Sequence, residues 1–211
     1  MNIELYKAAM KFKDNQLFSD LSFISSAGDR LALVSSDAEC LTMTLQAMLG
    51  MRRMDSGWAC IDGEPVLPSV ATCFRRYISY LPKNIDFGSV TVEQVAKDKM
   101  KGDSKYSLQE AERHLQLLGV ESGCLSKSFA SLDASTAQRA ALAVTVMDGR
   151  PIALLDNPTS LQDEAGSKLI ADYLSSSLFD DVAVVVATSD PIVMAVCNKK
   201  QYIENPLAEL I

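Results

Sequence analysis

Long hydrophobic runs, paired cysteines and an excess of positive charge are all missing from this 211-residue chain. The most apolar segment, VAVVVATSDPIVMAVC, is interrupted by Asp190 and Pro191. No stretch therefore reaches the roughly 20 apolar residues of a membrane-spanning helix. The five cysteines contain no CxxC pair, which excludes a zinc framework or a secreted disulfide scaffold and predicts reduced, mostly buried thiols. Because the N-terminus lacks the apolar core of a signal peptide, we expect a cytoplasmic protein.

The net charge of −7 argues against nucleic acid as a partner, because clustered Lys and Arg supply the affinity for phosphate backbones. Hydrophobic residues make up 48% of the chain and charged residues 22%, a composition that excludes a disordered chain and indicates a globular domain. The single histidine, His114, falls in a predicted helix and is interpreted as a surface or partly buried side chain.

The first part of the chain, residues 1–87, has the pattern of short β-strands around one amphipathic helix. Leu41 and Leu45 belong to the apolar stripe of this helix, which is predicted to end at Gly50. The segment DSGWACIDGEPV reads as a hairpin with Gly57 and Gly63 at turn positions.

The remaining chain divides into a helical insert and a series of alternating strands and helices. Residues 88–130 are polar and helical, with a predicted capping box at Ser107 and Glu110. Residues 131–211 contain the segments IALLD and VAVVVAT, whose near-continuous apolar character is typical of parallel strands buried on both faces. The sequence therefore predicts one α/β domain with an inserted helical subdomain.

Six segments in order resemble the ATPase (nucleotide-binding) domain of ABC transporters over nearly the whole chain. LSFISSAGDRLALV is similar to the strands before the phosphate loop, RRMDSGWACIDGEPV to the strand turns after the first helix, and YISYLPK to the approach to the glutamine loop. SLDASTAQRAALAVTVMDGRPIALLDNPTSLQD resembles the signature motif, Walker B strand and D-loop; VAVVVATSD and VCNKKQYIEN resemble the closing segments. The resemblance implies a P-loop NTPase-like fold: a mixed sheet core, an antiparallel β subdomain and a small helical insert.

The phosphate loop GxxxxGK[ST] uses glycines so that backbone N–H groups converge on phosphate, and a lysine that meets the β- and γ-phosphates. The aligned first glycine, second glycine, lysine and hydroxyl positions are Ser35, Cys40, Leu41 and Thr42. Only Thr42 matches. Asp37 and Glu39 add carboxylates where phosphate would rest, so tight ATP binding by this loop is not expected.

The other positions implied by the resemblance are also replaced. Phe12 falls at the position that stacks on adenine. Lys83 falls at the position of the glutamine in the glutamine loop, and a cationic side chain there cannot coordinate a metal. Asp156 matches the Walker B aspartate, but Asn157 replaces the catalytic carboxylate and has no general-base chemistry. Ser189 stands at the switch-histidine position. The five signature positions are Leu132, Asp133, Ala134, Ser135 and Thr136.

Replacement of catalytic positions beside intact strands predicts an ABC ATP-binding-subunit homologue with a degenerate site, a non-catalytic structural or regulatory subunit of a transport complex. Two alternatives stay open: an ATP-binding subunit or weak ATPase with a rearranged site, in which Thr42 and Asp156 hold Mg²⁺, and a free-standing adaptor. No cofactor is expected, or only weakly held ATP and Mg²⁺. The implied partners are an ABC-type ATPase subunit, a transmembrane permease or both, in a dimer that is hetero- rather than homomeric. The permease would place the chain at the inner face of the membrane.

Overall fold

A computed structural model describes residues 1–13, 15–100 and 107–203. One sheet is antiparallel and has the strand order β2-β1-β4-β5. Its strands are β1 (Asn2–Phe12), β2 (Asn15–Ser26), β4 (Ser56–Ile61) and β5 (Glu64–Pro65). The inward side chains of this sheet share a core with the first helix.

The second sheet is parallel and has the order β6-β7-β8-β3-β9. Its strands are β3 (Arg30–Val34), β6 (Ile78–Leu81), β7 (Ile152–Asp156), β8 (Ala183–Ala187) and β9 (Lys199–Tyr202). Every residue of β7 and β8 is buried, as expected for strands covered by helices on both faces. This confirms the prediction of a mixed α/β core.

Helices flank the parallel sheet and form the insert. They are α1 (Ala38–Met48), α2 (Ala71–Arg75), α3 (Val92–Met100), α4 (Leu108–Leu117), α5 (Ala134–Val146), α6 (Glu164–Leu174) and α7 (Pro191–Val196). The helices α3 and α4 belong to the predicted helical region, of which residues 101–106 lie outside the described residues. Among the described residues, no helix is long and apolar enough to cross a membrane.

Local predictions are confirmed in the first helix and corrected in the hairpin that follows it. Leu41 and Leu45 are buried on α1, and Gly50 directly follows its last turn with a φ of 63°. Gly57 was predicted at a turn but lies inside β4 with a φ of 71°. A Cβ on Gly57 would lie 2.4 Å from the carbonyl oxygens of Tyr6 and Lys7, so the glycine permits close approach of β1 at a register shift.

The thiol prediction is confirmed, and the histidine interpretation is corrected. The cysteines are free; three are buried, Cys197 is partly buried and Cys73 is exposed. His114 was expected at or near the surface but is only 6% exposed. Its Nδ1 shares a hydrogen bond with the Tyr173 hydroxyl of α6, a long-range contact that has no signal in the helical pattern.

Candidate functional site

Four parallel strands end at one edge of the sheet, and this carboxyl edge carries most of the predicted site positions. Leu33 of β3 and Asp156 of β7 both pair with Ala187 of β8, while Leu81 of β6 pairs with Leu155. The residues that follow these strands therefore lie together, as at the ligand-binding edge of open α/β sheets. The site positions that the structure gathers here are Ser35, Lys83, Asp156, Asn157 and Ser189.

The start of α1 is capped by Asp37. Its carboxylate Oδ1 accepts hydrogen bonds from the backbone N–H groups of Glu39, at 2.8 Å, and Cys40, at 3.3 Å. The Asp37 backbone N–H donates to Ser35 Oγ at 3.2 Å. Unpaired N–H groups at a helix start are the donors that bind anions in phosphate loops. In this chain two of them are bonded to the chain's own carboxylate.

Glu39 takes part in this cap through its backbone and not through its side chain. Its side chain is exposed, and its backbone N–H donates to Asp37. The cap is Asp37 because a short carboxylate just before the first turn reaches the N–H groups two and three residues further on. Asp37 thus places a negative charge directly on these N–H groups, and Glu39 adds an exposed carboxylate in the same turn.

The second-glycine and lysine positions are buried and apolar. Leu41 is 5% exposed and packs in the core between the two sheets, so no cation occupies that place. Cys40 is 2% exposed. Burial, and next the Asp37 charge, raise the pKa of its thiol to about 11, which keeps the sulfur protonated and unreactive at neutral pH.

A second group of polar side chains surrounds Asp156 at the end of β7. Asp156 is 1% exposed, and its Oδ2 has no hydrogen-bond partner among the described residues. Burial raises the pKa of this carboxyl, while a hydrogen bond with the Thr42 hydroxyl, the Lys83 charge and the Lys83 backbone N–H act in the opposite direction. Lys83 is half-buried, and its charge lies near enough to Asp156 to lower the pKa of that carboxyl.

Tyr80 of β6 belongs to the same group. Burial, and next the charge of Asp156, raise its pKa to about 12, and a hydrogen bond with Gln46 of α1 acts in the opposite direction. The Tyr80 hydroxyl therefore stays neutral. Since Gln46 and Thr42 both lie on α1, Tyr80 of β6 and Asp156 of β7 both face that helix.

The positions of the catalytic carboxylate and the switch histidine carry no ionisable side chain. Asn157 has a φ of 52°, and its backbone N–H donates to Ala187 O at 2.8 Å. Asparagine tolerates this left-handed conformation well. Ser189 is exposed, and its neighbour Thr188 is fully buried, with Oγ1 accepting from Asp190 N at 3.0 Å.

Phe12 ends β1 and is partly buried against the core. Lys13 Nζ lies 5.4 Å from its ring centroid, and the guanidinium carbon of Arg52 lies 5.8 Å from it. Both distances are typical of cation–π contacts. The ring that the resemblance assigns to adenine therefore already has two cations near it.

The signature segment forms the start of α5, and an aspartate caps this helix as well. Asp133 Oδ1 accepts a hydrogen bond from Thr136 N at 2.9 Å. This backbone bond, and next a bond from the Thr136 side chain, lower the pKa of Asp133. Ser135 Oγ donates to Gln162 Oε1 of the D-loop at 2.8 Å, and Arg139 Nη1 contacts both atoms at 2.8 Å. These hydrogen bonds join the signature segment to the D-loop segment SLQD, residues 160–163 of the same chain.

The α5–D-loop network extends inward through Gln138, which is 2% exposed. Its amide donates to Ser160 Oγ at 2.9 Å and accepts from Leu161 N at 3.1 Å and Gln162 Nε2 at 2.9 Å. Neither Gln138 nor Arg139 is among the site residues predicted from the sequence. An amide and a guanidinium on successive residues before a buried helix stripe were the available signal.

The chain matches the family model described as ABC transporter over residues 18–160, about two thirds of its length. The chain therefore belongs to the ABC transporter family. It is 25% identical to a cytochrome c biogenesis ATP-binding export protein of Rhizobium meliloti, with 85% of this chain and 86% of the relative covered. It is 23% identical to a probable ABC transporter ATP-binding/permease protein of Haemophilus influenzae, covering 96% of this chain but only 38% of that protein.

Solved structures agree on the fold. The dimeric structure of a bacterial ABC transporter cassette superposes with a TM-score of 0.84 at 18% identity, over 96% of this chain and 94% of the cassette. A bacterial Atm1-family exporter with ATP bound gives a TM-score of 0.80 at 16% identity, over 97% of this chain and 37% of the exporter. The chain has the ABC ATPase fold, and it spans about a third of the larger relatives that carry further parts.

Proposed function

We propose that this chain is a non-catalytic ABC ATPase-like subunit with a structural or regulatory part in a transport complex. The observation that carries the proposal is the Asp37 carboxylate on the N–H groups of Glu39 and Cys40. A phosphate at α1 would have to displace that carboxylate or lie beside it. Two like unit charges about 4 Å apart repel by about 4 kcal/mol at an effective dielectric of 20, which equals the whole free energy of millimolar binding, about 4 kcal/mol.

Magnesium fits part of this site but not all of it. The Thr42 hydroxyl and the Asp156 carboxylate are oxygen ligands of the kind that Mg²⁺ prefers, and Asp156 Oδ2 is free to accept one. In nucleotide sites, however, substrate phosphates supply much of the coordination. Asp37 disfavours those phosphates, and Lys83 places a positive charge near the same carboxylate. ATP with Mg²⁺ therefore does not fit the residues present.

Catalytic chemistry is also unsupported by the side chains at the carboxyl edge. Asn157 and Ser189 hold the positions of the catalytic carboxylate and the switch histidine, and neither side chain accepts a proton from water near neutral pH. The lysine position holds the buried Leu41. We therefore expect no turnover.

One observation favours a second candidate, an ATP-binding subunit or weak ATPase with a rearranged site. Asp156 Oδ2 is a buried carboxylate oxygen that has no hydrogen-bond partner in the described part of the chain, which is costly unless a water or a cation meets it. Thr42 lies beside the same carboxyl. Nucleotide binding through these two side chains would need phosphates to approach from a direction that avoids Asp37.

The partners that we propose are an ABC-type ATPase subunit, a transmembrane permease or both. A relative of this chain is an ATP-binding/permease protein, and one structural neighbour is a dimeric cassette. We propose a heterodimer, because a homodimer would carry two sites with the same replacements. The permease would hold the chain at the cytoplasmic face of the membrane.

Hydrolysis of labelled ATP by purified protein tests the proposal. We expect a rate equal to that of the same preparation of Asp156→Ala, which controls for contaminating ATPase. Turnover that Asp156→Ala abolishes would refute the non-catalytic assignment and favour the rearranged site. Isolation from native cells tests the partners: an intact ABC ATPase or a polytopic membrane protein should co-purify, and recovery of neither would favour the adaptor.

A further inference from the structure

A surface groove of about 540 Å³ lies beside β4. We call it the arginine groove. The buried residues Ala59 and Val66 line it, and Trp58, Leu67, Arg52 and Arg53 are its exposed members. The site described above uses none of this surface except Arg52, which also lies near Phe12.

The charge of the groove differs from that of the whole chain. Arg52 and Arg53 are exposed and form no ion pair with any described residue, in a protein of net charge −7. The Arg52 side chain is positioned by an uncharged partner, because its Nε donates a hydrogen bond to Gln46 Oε1 at 2.6 Å. The nearest acid, Asp55, also lines the groove, and its carboxylate accepts from Lys11 N at 2.6 Å. The two arginines outnumber the single acid of the groove and so favour a partner that brings carboxylates.

The apolar part of the groove is exposed. Trp58 is 47% exposed and Leu67 is 52% exposed. The Trp58 ring lies 5.4 Å from that of Tyr6, centroid to centroid, so the two aromatic side chains contact each other across neighbouring strands. Tryptophan and arginine are among the residues that most often dominate binding at interfaces.

The backbone of β4 adds a third feature. On the groove side β4 pairs with β5 only at Cys60 and Ile61, and the last backbone bond is from Val66 N to Ala59 O at 2.8 Å. Within the described chain, Ser56–Trp58 therefore has no strand neighbour on this side. An unpaired strand edge beside side-chain pockets is the surface to which extended peptides add.

We propose that the arginine groove binds an extended acidic segment of a partner protein, with carboxylates facing Arg52 and Arg53 and an apolar side chain between Trp58 and Leu67. A concave, strand-lined surface suits a peptide better than a flat membrane surface does. The net charge of −7 also opposes approach to anionic lipid. This inference goes beyond the proposed non-catalytic function and does not depend on it.

Trp58 is the only tryptophan in the chain, so its fluorescence reports directly on the groove. The probe is a short peptide of alternating glutamate and leucine. We expect a saturable change in Trp58 emission and weaker binding as salt rises from about 50 to about 500 mM, since screening weakens exposed charge pairs. A lysine–leucine peptide should bind at least about ten-fold more weakly, a difference of about 1.4 kcal/mol.

Charge reversal locates the contact. Arg52→Glu with Arg53→Glu should weaken the glutamate–leucine peptide at least about ten-fold, whereas the matched reversal of two exposed lysines elsewhere, Lys127→Glu with Lys168→Glu, should leave it within about two-fold. Leu67→Ser should also weaken binding. Far-UV circular dichroism checks the fold of each variant, and the peptide and salt comparisons on the unaltered protein decide the question if the arginine variant does not fold.

Four outcomes would overturn the proposal. The first is no Trp58 response to the acidic peptide at about 1 mM, where binding worth about 4 kcal/mol would half-saturate. The second is equal binding of the lysine–leucine peptide. The third is unchanged binding by the folded arginine variant. The fourth is arginine-dependent binding to phosphatidylserine vesicles without peptide binding, which would assign the surface to a membrane.

Discussion

The interior of the parallel sheet and its carboxyl edge differ in what they preserve of an ABC ATPase. In the interior, every residue of β7 and β8 is buried, as the fold requires. Beyond the ends of β3, β7 and β8, Leu41, Asn157 and Ser189 stand at the positions that the family resemblance assigns to a lysine, a carboxylate and a histidine. The interior depends on hydrophobic packing distributed over many residues, whereas the chemistry of an ABC ATPase depends on a few side chains. The fold of such a domain can therefore be kept while residues of its site change.

The largest effect that tests this comparison is a cavity in the interior. Leu154 of β7 is fully buried, so Leu154→Ala should lower the free energy of unfolding by about 3 kcal/mol, through lost burial and the cavity left behind. Ser189→Ala at the exposed edge should change it by less than about 0.5 kcal/mol. Urea denaturation of the two variants measures both values. Equal losses would show that the edge also stabilises the fold.

The helix cap at the edge should have a smaller effect. Asp37→Ala removes the acceptor of two N–H groups at the start of α1 and should cost about 1 kcal/mol. Glu39→Ala is the matched control. The Glu39 side chain is exposed, and only the backbone N–H of this residue donates to the Asp37 cap. A cost for Glu39→Ala as large as that for Asp37→Ala, in the same denaturation experiment, would contradict the assigned cap.

The interaction between the charges of Lys83 and Asp156 should contribute less again. Lys83→Met should lower the free energy of unfolding by about 0.5 kcal/mol in the otherwise unaltered chain and by clearly less when Asp156 is Asn, because the two charges interact. A double-mutant cycle measures this coupling. Additive effects would mean that Lys83 does not act on Asp156.

The smallest expected effect is at His114, in the helical insert. Burial lowers the pKa of this imidazole below its ordinary value. The unfolded chain then binds the proton first, so stability is full above pH about 6.5 and falls as the pH drops below that value. Unfolding at pH 8 and pH 5 should show a smaller loss for His114→Gln than for the unaltered chain. Parallel losses in both proteins would contradict a buried neutral imidazole.

Much of the fold could be predicted from the sequence because its elements have strong local patterns. The stripe on α1, the apolar runs of β7 and β8 and the polar α4 each match the structure within a few residues. Gly57 was misplaced because its positive φ serves a contact with the carbonyl oxygens of β1, and the partner strand lies some fifty residues earlier. Such long-range backbone contacts leave only a glycine in the sequence.

The candidate site was predicted by position but not by interaction. Ser35, Asp156 and Asn157, which the resemblance assigns to one site, lie at one edge, because strand order fixes where loops meet. The resemblance did not give the cap by Asp37, the interaction of Lys83 with Asp156 or the Gln138 network. Those contacts depend on side-chain geometry across elements, which periodicity and spacing do not encode.

The most direct test of the account is the response of the α1 amides to ATP. In an NMR titration of the unaltered chain with ATP and Mg²⁺ to about 1 mM, where binding worth about 4 kcal/mol would half-saturate, the Glu39 and Cys40 amide signals should not move. The same titration of Asp37→Gly with Leu41→Lys should shift them, since the variant frees both N–H groups and restores the cation. Saturable shifts in the unaltered chain at micromolar ATP would contradict the proposal that Asp37 blocks nucleotide binding at this site.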